Sequence, residues 1–281
     1  MKYREILAEM QKKAINCEKE ESAIILLLMH ASKMENALLY ASMDEEINDD
    51  ILNSFKELCH QYLELNIPVQ YIMGYETFYG YQFKVNENVL IPRFETEELV
   101  ENVLLNYDEF FNGQKVNLVD IGTGSGCLGI TLALEEPNMN VTITDISQDA
   151  LNVAFENANN LGAKVNILCG DMLKPLKNMK FDIIVSNPPY IPDDEDVESL
   201  VKDNEPHVAL FGGEDGLKFY REILSGCKEI LNPKAMICFE HAYNKKDEMI
   251  TLVKTYFPTS SVEVLKDMQG KDRMTIVKIE G

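Results

Sequence analysis

The sequence predicts an α/β protein whose larger domain is a doubly wound parallel sheet, preceded by a small N-terminal helical bundle and a β-hairpin linker. Three observations support this fold class. Apolar residues recur at helical spacing over the first part of the chain. A short aromatic-rich segment then alternates apolar with polar residues, and strand and helix patterns alternate from there to the end. The length of 281 residues suits one large and one small domain.

The first 72 residues predict the helical bundle. Apolar residues three and four positions apart mark one face of each helix, and polar breaks at 17–22 and 42–50 separate the helices. Asp44 is the expected start region of the third helix. The apolar faces carry Ile6, Met10, Ala14, Ile24, Leu27, Leu28, Ile51, Phe55, Leu58 and Tyr62.

Residues 76–91 predict a hairpin, because aromatic and polar residues alternate around turn signals at Gly80 and Asn86–Asn88. We therefore expect domain bounds of 1–72 for the bundle, 73–94 for the hairpin linker and 95–281 for the α/β domain. In that last domain, strands are predicted at Val116–Ile121, Val141–Asp145, Val165–Cys169, Ile183–Ser186, Met236–Glu240, Val262–Leu265 and Met274–Ile279. Helices are predicted at Glu95–Tyr107, Gly126–Leu134, Gln148–Leu161 and Gly216–Leu231.

Charge and composition narrow the classes of function. The net charge of -21, with 47 acidic against 26 basic residues, disfavours a nucleic-acid substrate and suits a basic protein partner. An ordinary solubilising surface explains the acids equally well. No apolar run approaches the ~20 residues that span a bilayer, and the first ten residues resemble no export signal. The six cysteines show no metal-ligand spacing, so we expect reduced thiols, no metal and a cytoplasmic protein.

A glycine-rich loop follows the first strand of the predicted sheet. The segment L-V-D-I-G-T-G-S-G, residues 118–126, is an apolar strand, an acid at its end and three alternate glycines that open a helix. Glycine is required where backbone turns sharply against a ligand. Asp145 ends the second strand, where a carboxylate can accept hydrogen bonds from a ribose diol.

Two cofactors compete for this loop. Gly124, Gly126 and Gly129 also match the dinucleotide fingerprint, although that match begins three residues beyond the strand. Asp120 would repel a pyrophosphate but attract the cationic amino acid end of S-adenosylmethionine, which carries no phosphate. We therefore favour S-adenosylmethionine. The residues predicted to bind it are Asp120, Gly122, Thr123, Gly124, Ser125, Gly126, Asp145, Asp171, Met172 and Asn187.

The tetrapeptide Asn187-Pro188-Pro189-Tyr190 follows a buried strand and predicts the chemistry. The two prolines fix the backbone and remove two N–H donors, which leaves rigidly held carbonyl acceptors. The side-chain oxygen of Asn187 adds another acceptor. Two acceptors can hold the N–H groups of a planar amide or amine, and Tyr190 can stack on its flat face. The tetrapeptide therefore indicates methyl transfer to a planar nitrogen, and its four residues are the candidate catalytic and substrate-binding residues.

With these motifs the chain resembles the HemK/PrmC family of peptide chain release factor glutamine methyltransferases. The resemblance runs over roughly residues 68–281 and rests also on P-V-Q-Y-I-M-G, V-L-I-P-R-F-E-T-E, N-E-P-H-V-A-L-F-G-G-E-D-G-L, F-E-H and G-K-D-R. It implies a Rossmann-like class I methyltransferase domain and, as substrate, the glutamine amide of the Gly-Gly-Gln loop of release factors. It also implies that the helical domain docks the release factor and that Arg93 and Glu97 shape the inner wall of the site.

The chain departs from the family pattern at three positions. Phe94 stands where the family usually has proline, Ala242 where it usually has glycine, and Met172 where a tryptophan is known. None of these positions touches the expected chemistry. His207 and His241 are interpreted as structural or surface residues.

Several alternatives remain open at this point. A sister enzyme methylates a glutamine in a ribosomal protein, and adenine methyltransferases of nucleic acid use the same tetrapeptide. A nicotinamide-dependent oxidoreductase and a non-catalytic cofactor-binding regulator are the more distant alternatives. We expect a monomer that binds neither nucleic acid nor membrane. The preferred release factor, the recognition by the helical domain and any hinge at the linker are not encoded in these patterns.

Overall fold

The computed structural model describes residues 1–280 and contains eleven α-helices and nine β-strands in that range. The first part of the chain forms α1 Tyr3–Asn16, α2 Glu21–Ser32, α3 Asn36–Ala41, α4 Asp49–Leu63, α5 Val69–Met73, β1 Tyr75–Phe78 and β2 Tyr81–Lys84. The rest forms α6 Phe94–Phe111, β3 Val116–Ile121, α7 Cys127–Glu135, β4 Met139–Asp145, α8 Gln148–Leu161, β5 Val165–Cys169, β6 Phe181–Ser186, α9 Ser199–Lys202, α10 Lys218–Gly226, β7 Leu231–Glu240, α11 Lys246–Tyr256, β8 Ser261–Lys266 and β9 Asp272–Ile279.

The chain divides into two compact units. One consists of Met1–Tyr75 with Glu198–Asn204, and the other of Glu76–Val197 with Glu205–Gly281. No helix within residues 1–280 is long and apolar enough to cross a membrane.

The first unit is helical, and the apolar faces predicted for it form its core. Ile6, Ile24 and Phe55, one from each long helix, are completely buried. Asn48 caps α4 by accepting the Asp50 N–H at 2.7 Å, so this helix begins beyond the expected start near Asp44. The short helices α3 and α5 were not predicted, because they are too brief to show a period.

The second unit is built on a seven-stranded sheet in the order β5-β4-β3-β6-β7-β9-β8. The strands pair in parallel from β5 to β7, and β9 joins as an antiparallel strand between β7 and β8. The strand order reverses between β3 and β6. Ligands of doubly wound sheets bind at such a switch point, outside the carboxyl ends of the strands.

Both faces of this sheet are buried, because neighbouring residues of a strand point to opposite faces. Leu118 and Ile183 belong to one core, which also contains apolar residues of α6, α7 and α8. Val119 and Ile184 belong to the second core, which also contains apolar residues of α10 and α11. Burying a large apolar side chain contributes ~1.5–3 kcal/mol, so these two layers hold the strand ends in fixed positions.

The observed ends of two helices differ from the predicted ends for identifiable reasons. The helix expected over Glu95–Tyr107 extends to Phe111 as α6, because Phe110 and Phe111 are buried in the first core. The helix expected over Gly216–Leu231 is shorter, since α10 ends at Gly226 and a 3-10 turn precedes β7. Leu231 is therefore the first residue of a strand.

Candidate active site

A cavity of about 430 Å³ lies at the switch point of the sheet, at the carboxyl ends of β3, β4 and β6. Its volume falls in the range of small-molecule sites. Every residue that lines it belongs to the second compact unit. Its lining includes these predicted site residues: Arg93, Asp120, Gly122, Thr123, Gly124, Ser125, Asp145, Asp171, Met172, Asn187, Pro188 and Pro189.

The glycine loop between β3 and α7 is held by the end of β4. The N–H groups of Gly122 and Thr123 both donate to the Thr144 carbonyl at 2.9 Å. Gly124 donates its N–H to Asp145 Oδ2, also at 2.9 Å. Gly122 and Gly124 have φ of +75° and +55°, conformations that residues with a Cβ rarely adopt. The loop therefore lies against the cavity with its backbone, as a glycine loop for a ligand should.

Asp120, at the carboxyl end region of β3, is only 1 % exposed. Its Oδ2 accepts the Thr123 hydroxyl at 2.5 Å and the Gly129 N–H at 3.0 Å. Burial raises the pKa of Asp120 to about 7, against the two hydrogen bonds that favour the charged form. Asp120 thus braces the loop and the first turns of α7 as well as lining the cavity.

Asp145 lies at the end of β4 with a carboxylate that is partly engaged by backbone. Its Oδ1 accepts the Ser147 N–H at 2.9 Å, while Oδ2 accepts that of Gly124. The Ile146 N–H also interacts with this carboxylate, and since a carboxylate has about four acceptor positions, capacity remains for a ligand hydroxyl. Burial raises the pKa of Asp145 above its usual value, and the backbone hydrogen bonds oppose this shift.

Asp171 and Met172 follow β5 and line the same cavity. The Asp171 carboxylate forms an ion pair with Lys174 Nζ at 2.5 Å. Met172 adopts a left-handed conformation with φ of +46°. A non-glycine residue is strained there, so the backbone around it is held by its surroundings rather than by its own preference.

The side chain of Asn187 is held in a chain of hydrogen bonds behind the cavity wall. Asn187 Nδ2 donates to Thr96 Oγ1 at 3.0 Å, and Thr96 Oγ1 donates to Glu240 Oε2 at 2.7 Å. Thr96 lies in the first turn of α6, and Glu240 is the last residue of β7. Glu240 is 1 % exposed, and burial raises its pKa to about 7.

The segment after Pro189 is supported by residues 205–217. Ile191 donates to the Leu210 carbonyl at 3.0 Å and accepts from the Gly212 N–H at 2.8 Å. A Cβ on Gly212 would lie 2.5 Å from the Pro189 carbonyl oxygen. No side chain fits there, so the glycine allows this segment to pack directly on the backbone of the tetrapeptide.

Three predicted site residues lie outside the cavity lining. Glu97 Oε1 accepts the Tyr79 N–H of the hairpin at 2.9 Å, and the residue lies outside the lining, so its role at the inner wall stays a prediction. The ring of Tyr190 packs against the second core, and burial raises the pKa of its phenol. Gly126 is the N-cap residue directly before α7, where a Cβ would lie 2.5 Å from Ile130 Cδ1. His241 is buried, in line with the structural role expected for it.

Sequence reasoning missed several residues of the site. Thr96 and Glu240 are the most consequential, because they hold Asn187. Both lie in segments that carry the family resemblance, V-L-I-P-R-F-E-T-E and F-E-H, which is the signal that could have identified them. Other unpredicted lining residues include Leu90, Ile146, Lys218 and Phe219.

The residues of the cavity fit S-adenosylmethionine better than a dinucleotide. Asp120, Asp145 and Asp171 all line it, and a pyrophosphate would meet these carboxylates at close range. A cofactor with an ammonium and a sulfonium meets favourable charge instead. The remaining acceptor capacity of the Asp145 carboxylate suits a ribose hydroxyl, and Met172 and Ile146 supply apolar surface.

The fold and the site together define a class I methyltransferase. The profile of the methyltransferase small domain matches residues 97–205, and that of the PrmC N-terminal domain matches residues 5–74. A solved methyltransferase structure from Pyrococcus furiosus is similar in fold, with a TM-score of 0.52 and 19% identity over 72% of this chain and 90% of that one.

Sequence similarity identifies the family within this class. The release factor glutamine methyltransferase of Bacillus cereus is 44% identical over 93% of this chain and 94% of its own length. That of Bacillus subtilis is 44% identical over 91% and 90%, respectively. The chain belongs to the release factor glutamine methyltransferase family, and S-adenosylmethionine is its cofactor.

Proposed function

We propose that this protein transfers the methyl group of S-adenosylmethionine to the side-chain amide nitrogen of the glutamine in the Gly-Gly-Gln motif of peptide chain release factors. The observation that carries this proposal is the position of Asn187 and Pro188. Both line the cavity that the glycine loop and Asp145 also line, so acceptors for an amide lie in the same cavity as the expected cofactor site. The family membership supports the same substrate.

The chemistry of an amide explains these residues. Its nitrogen lone pair is delocalised and is therefore a weak nucleophile. Asn187 Oδ1 and a proline carbonyl accept hydrogen bonds from its two N–H groups. These hydrogen bonds increase electron density on the nitrogen and orient it. When bound, the cofactor supplies a methyl group on a positively charged sulfur. No side chain has to act as a strong base, because an amide that gains a methyl on nitrogen loses its proton readily.

The cofactor is held by the residues predicted from the sequence. Backbone of Gly122–Gly126 binds its amino acid end, Asp145 its ribose, and Asp171 and Met172 its adenine. Asp120 contributes negative charge near the ammonium, although its Oδ2 already accepts two hydrogen bonds within the protein. Arg93, on the cavity wall, contacts the substrate. Tyr190 and Glu97 support the site from behind it.

The helical unit docks the release factor. Its surface carries large apolar side chains that are exposed and that a docked protein partner would cover. They are Ile15, Leu26, Leu38, Tyr40 and Leu65. The net charge of -21 favours a basic protein partner over nucleic acid. We place the protein in the cytoplasm as a monomer, where its free thiols stay reduced.

Methyl transfer from labelled S-adenosylmethionine tests this function. The acceptors are a purified release factor, the same factor with its Gly-Gly-Gln glutamine changed to alanine, a ribosomal protein extract and duplex DNA. We expect label on the first alone, and the Asn187→Ala enzyme should give none. Label on the ribosomal fraction would identify a ribosomal protein as the substrate instead of the release factor. Label on DNA would identify adenine, and not an amide, as the methyl acceptor.

A further inference from the structure

Asn187, Thr96 and Glu240 form a series of hydrogen bonds, and Glu240 determines which group donates at each step. The Thr96 hydroxyl has one hydrogen, which points to Glu240 Oε2 at 2.7 Å. The lone pairs of the same hydroxyl oxygen are then free to accept, and they accept Asn187 Nδ2 at 3.0 Å. Since the amide nitrogen faces Thr96, the amide oxygen Oδ1 faces away from Thr96.

An ionised Glu240 enforces this direction. A carboxylate only accepts hydrogen bonds, so the Thr96 hydroxyl must donate to it. A neutral carboxyl or an amide at this position can donate as well as accept. Thr96 could then turn its hydrogen toward Asn187, and the amide would turn to present its oxygen to Thr96. In that arrangement the side chain offers N–H groups to the cavity, where an acceptor is needed.

Glu240 itself does not line the cavity, whereas Thr96 and Asn187 do. Thr96 is 3 % exposed and Glu240 1 %, so no bulk water competes for their hydrogen bonds. Three separate elements, α6, β7 and the turn after β6, supply the three side chains. The arrangement is therefore built by the tertiary fold.

We propose that Glu240 is a positioning residue for methyl transfer, which acts through Thr96 to keep Asn187 Oδ1 directed at the glutamine amide. This inference rests on the proposed function of Asn187. Glu240 touches neither substrate nor cofactor; it fixes the polarity of the side chain that does.

The charge of Glu240 should then appear in the pH dependence of the reaction. Burial raises the pKa of this carboxyl to about 7, while the Thr96 hydrogen bond, Arg273 and the side-chain amide of Asn187 favour its charged form. Below this pKa the carboxyl is neutral, and the Thr96 hydroxyl is no longer required to donate to it. The other ionisable groups that face it are Arg273, Glu95, Tyr190, Tyr220 and Cys127. The pKa of Tyr190, Tyr220 and Cys127 is raised by burial, so these groups stay neutral near pH 7.

The kinetic test uses Thr96→Val, Thr96→Ser and Glu240→Gln, with release factor as the acceptor. Thr96→Val should lower kcat by about 10- to 100-fold, with KM for the release factor and Kd for the cofactor within about 3-fold of wild type, as expected for a group that acts on orientation. Thr96→Ser keeps the hydroxyl and should restore kcat to within about 3-fold. Thr131→Val is the matched control, because the buried Thr131 hydroxyl makes no hydrogen bond within residues 1–280.

The pH profile separates positioning from a loss of packing. At saturating S-adenosylmethionine, where protonation of Asp120 does not act through cofactor binding, wild-type kcat should fall as one group is protonated near pH 7. This decline should be absent from Glu240→Gln, whose kcat is low throughout. Wild-type turnover by Thr96→Val, or the same decline in Glu240→Gln, would overturn the proposal. If Glu240→Gln does not fold, the profile of Thr96→Val decides, because the decline of its kcat below pH about 7 should be smaller than that of wild type; an equal decline would overturn the proposal.

A measurement without substrate keeps this inference separate from the proposed function. The side-chain amide resonances of Asn187, assigned by their loss in Asn187→Ala, should shift with pH around 7 in wild type and stay constant in Glu240→Gln. Constant resonances in wild type would refute the positioning role even if the enzyme methylates release factors. A shift with no methylation of any release factor would retain the hydrogen-bond chain and refute the function.

Discussion

Glu205 binds Arg93 across 112 positions of the sequence, with Oε1 at 2.5 Å from a guanidinium nitrogen. The other oxygen of the same carboxylate accepts the Ile91 N–H at 3.0 Å. The Glu205 side chain is 1 % exposed, while Arg93 is 35 % exposed and lines the cavity. One buried carboxylate therefore fixes the backbone before α6 and the basic side chain on the cavity wall.

We expect Glu205→Ala to destabilise the protein by about 2–4 kcal/mol. The variant leaves the Ile91 N–H and a partly buried guanidinium without their partner, and such orphaned groups are costly. Urea denaturation measures the change. Glu195→Ala removes an exposed carboxylate from the chain and should change stability by less than about 0.5 kcal/mol. Equal effects of the two substitutions would contradict the role of Glu205.

Asn187→Ala should abolish methyl transfer and leave the affinity for S-adenosylmethionine within a few-fold of wild type. In the proposed function the side-chain oxygen accepts a hydrogen bond from the acceptor amide, and the variant keeps the glycine loop and Asp145, the residues proposed to hold the cofactor. Single-turnover kinetics and titration calorimetry check the two parts separately. Substantial turnover by this variant would reject the assigned role, and loss of cofactor binding would place Asn187 chiefly in the cofactor site.

Asp145→Ala should weaken binding of S-adenosylmethionine by ~1–3 kcal/mol, because hydroxyls of the ligand lose a charged acceptor. The substitution also removes the acceptor of the hydrogen bonds that the Gly124 and Ser147 N–H groups donate to the carboxylate, each at 2.9 Å. Titration calorimetry measures the change. Asp149→Ala, an exposed carboxylate in the first turn of α8, is the control and should leave affinity unaltered. Unchanged affinity in Asp145→Ala would exclude Asp145 from the ribose site.

The parts of the molecule that could be predicted are those with local patterns. The strands at Val116–Ile121 and Val165–Cys169 and the helix Gln148–Leu161 match the expected bounds, because apolar period and flanking residues agree there. The glycine loop was predictable from its local pattern of strand, acid and alternate glycines, and Gly122, Gly124 and Gly126 have positive φ in the structure. The 3-10 turn after α10 and the extension of α6 depend on packing with distant residues, which a local pattern does not contain.

The lining of the cavity was predictable where one short segment supplies several of its residues. The tetrapeptide at 187–190 is such a segment, and three of its residues line the cavity. Thr96 and Glu240 are 144 positions apart, and their hydrogen bond exists only because α6 and β7 meet. Neither residue looks unusual in its own segment. Long-range hydrogen-bond partners of this kind follow from the three-dimensional arrangement of the strands and helices.

Gly216→Ala should reduce both stability and methyl transfer. A Cβ at this position would lie 2.3 Å from the Tyr190 carbonyl oxygen, so the tetrapeptide would have to move. Gly270→Ala is a matched control, because Gly270 has φ of +80°, similar to the +74° of Gly216, and open space around it. The left-handed conformation costs about 1 kcal/mol in both variants, and the clash should add about 1–3 kcal/mol in Gly216→Ala alone. Thermal denaturation and initial rates measure the effects; similar losses in both variants would contradict the clash.

Asp120→Asn should change how stability depends on pH. Burial raises the pKa of Asp120 to about 7, whereas an unfolded aspartate titrates near ~3.9. The native state therefore holds a proton that the unfolded state has lost between these values, and stability declines as pH rises from about 4 to about 7.

The neutral amide of asparagine has no such decline, while its oxygen can still accept from Thr123 and Gly129. The free energy of unfolding of the variant, relative to wild type, should thus increase by ~2–4 kcal/mol between pH 4 and pH 8. Glu240, whose pKa is also raised to about 7, titrates in both proteins and cancels in the comparison. Urea denaturation over this pH range measures the difference, and parallel curves would show that Asp120 ionises in the native state as freely as in the unfolded chain.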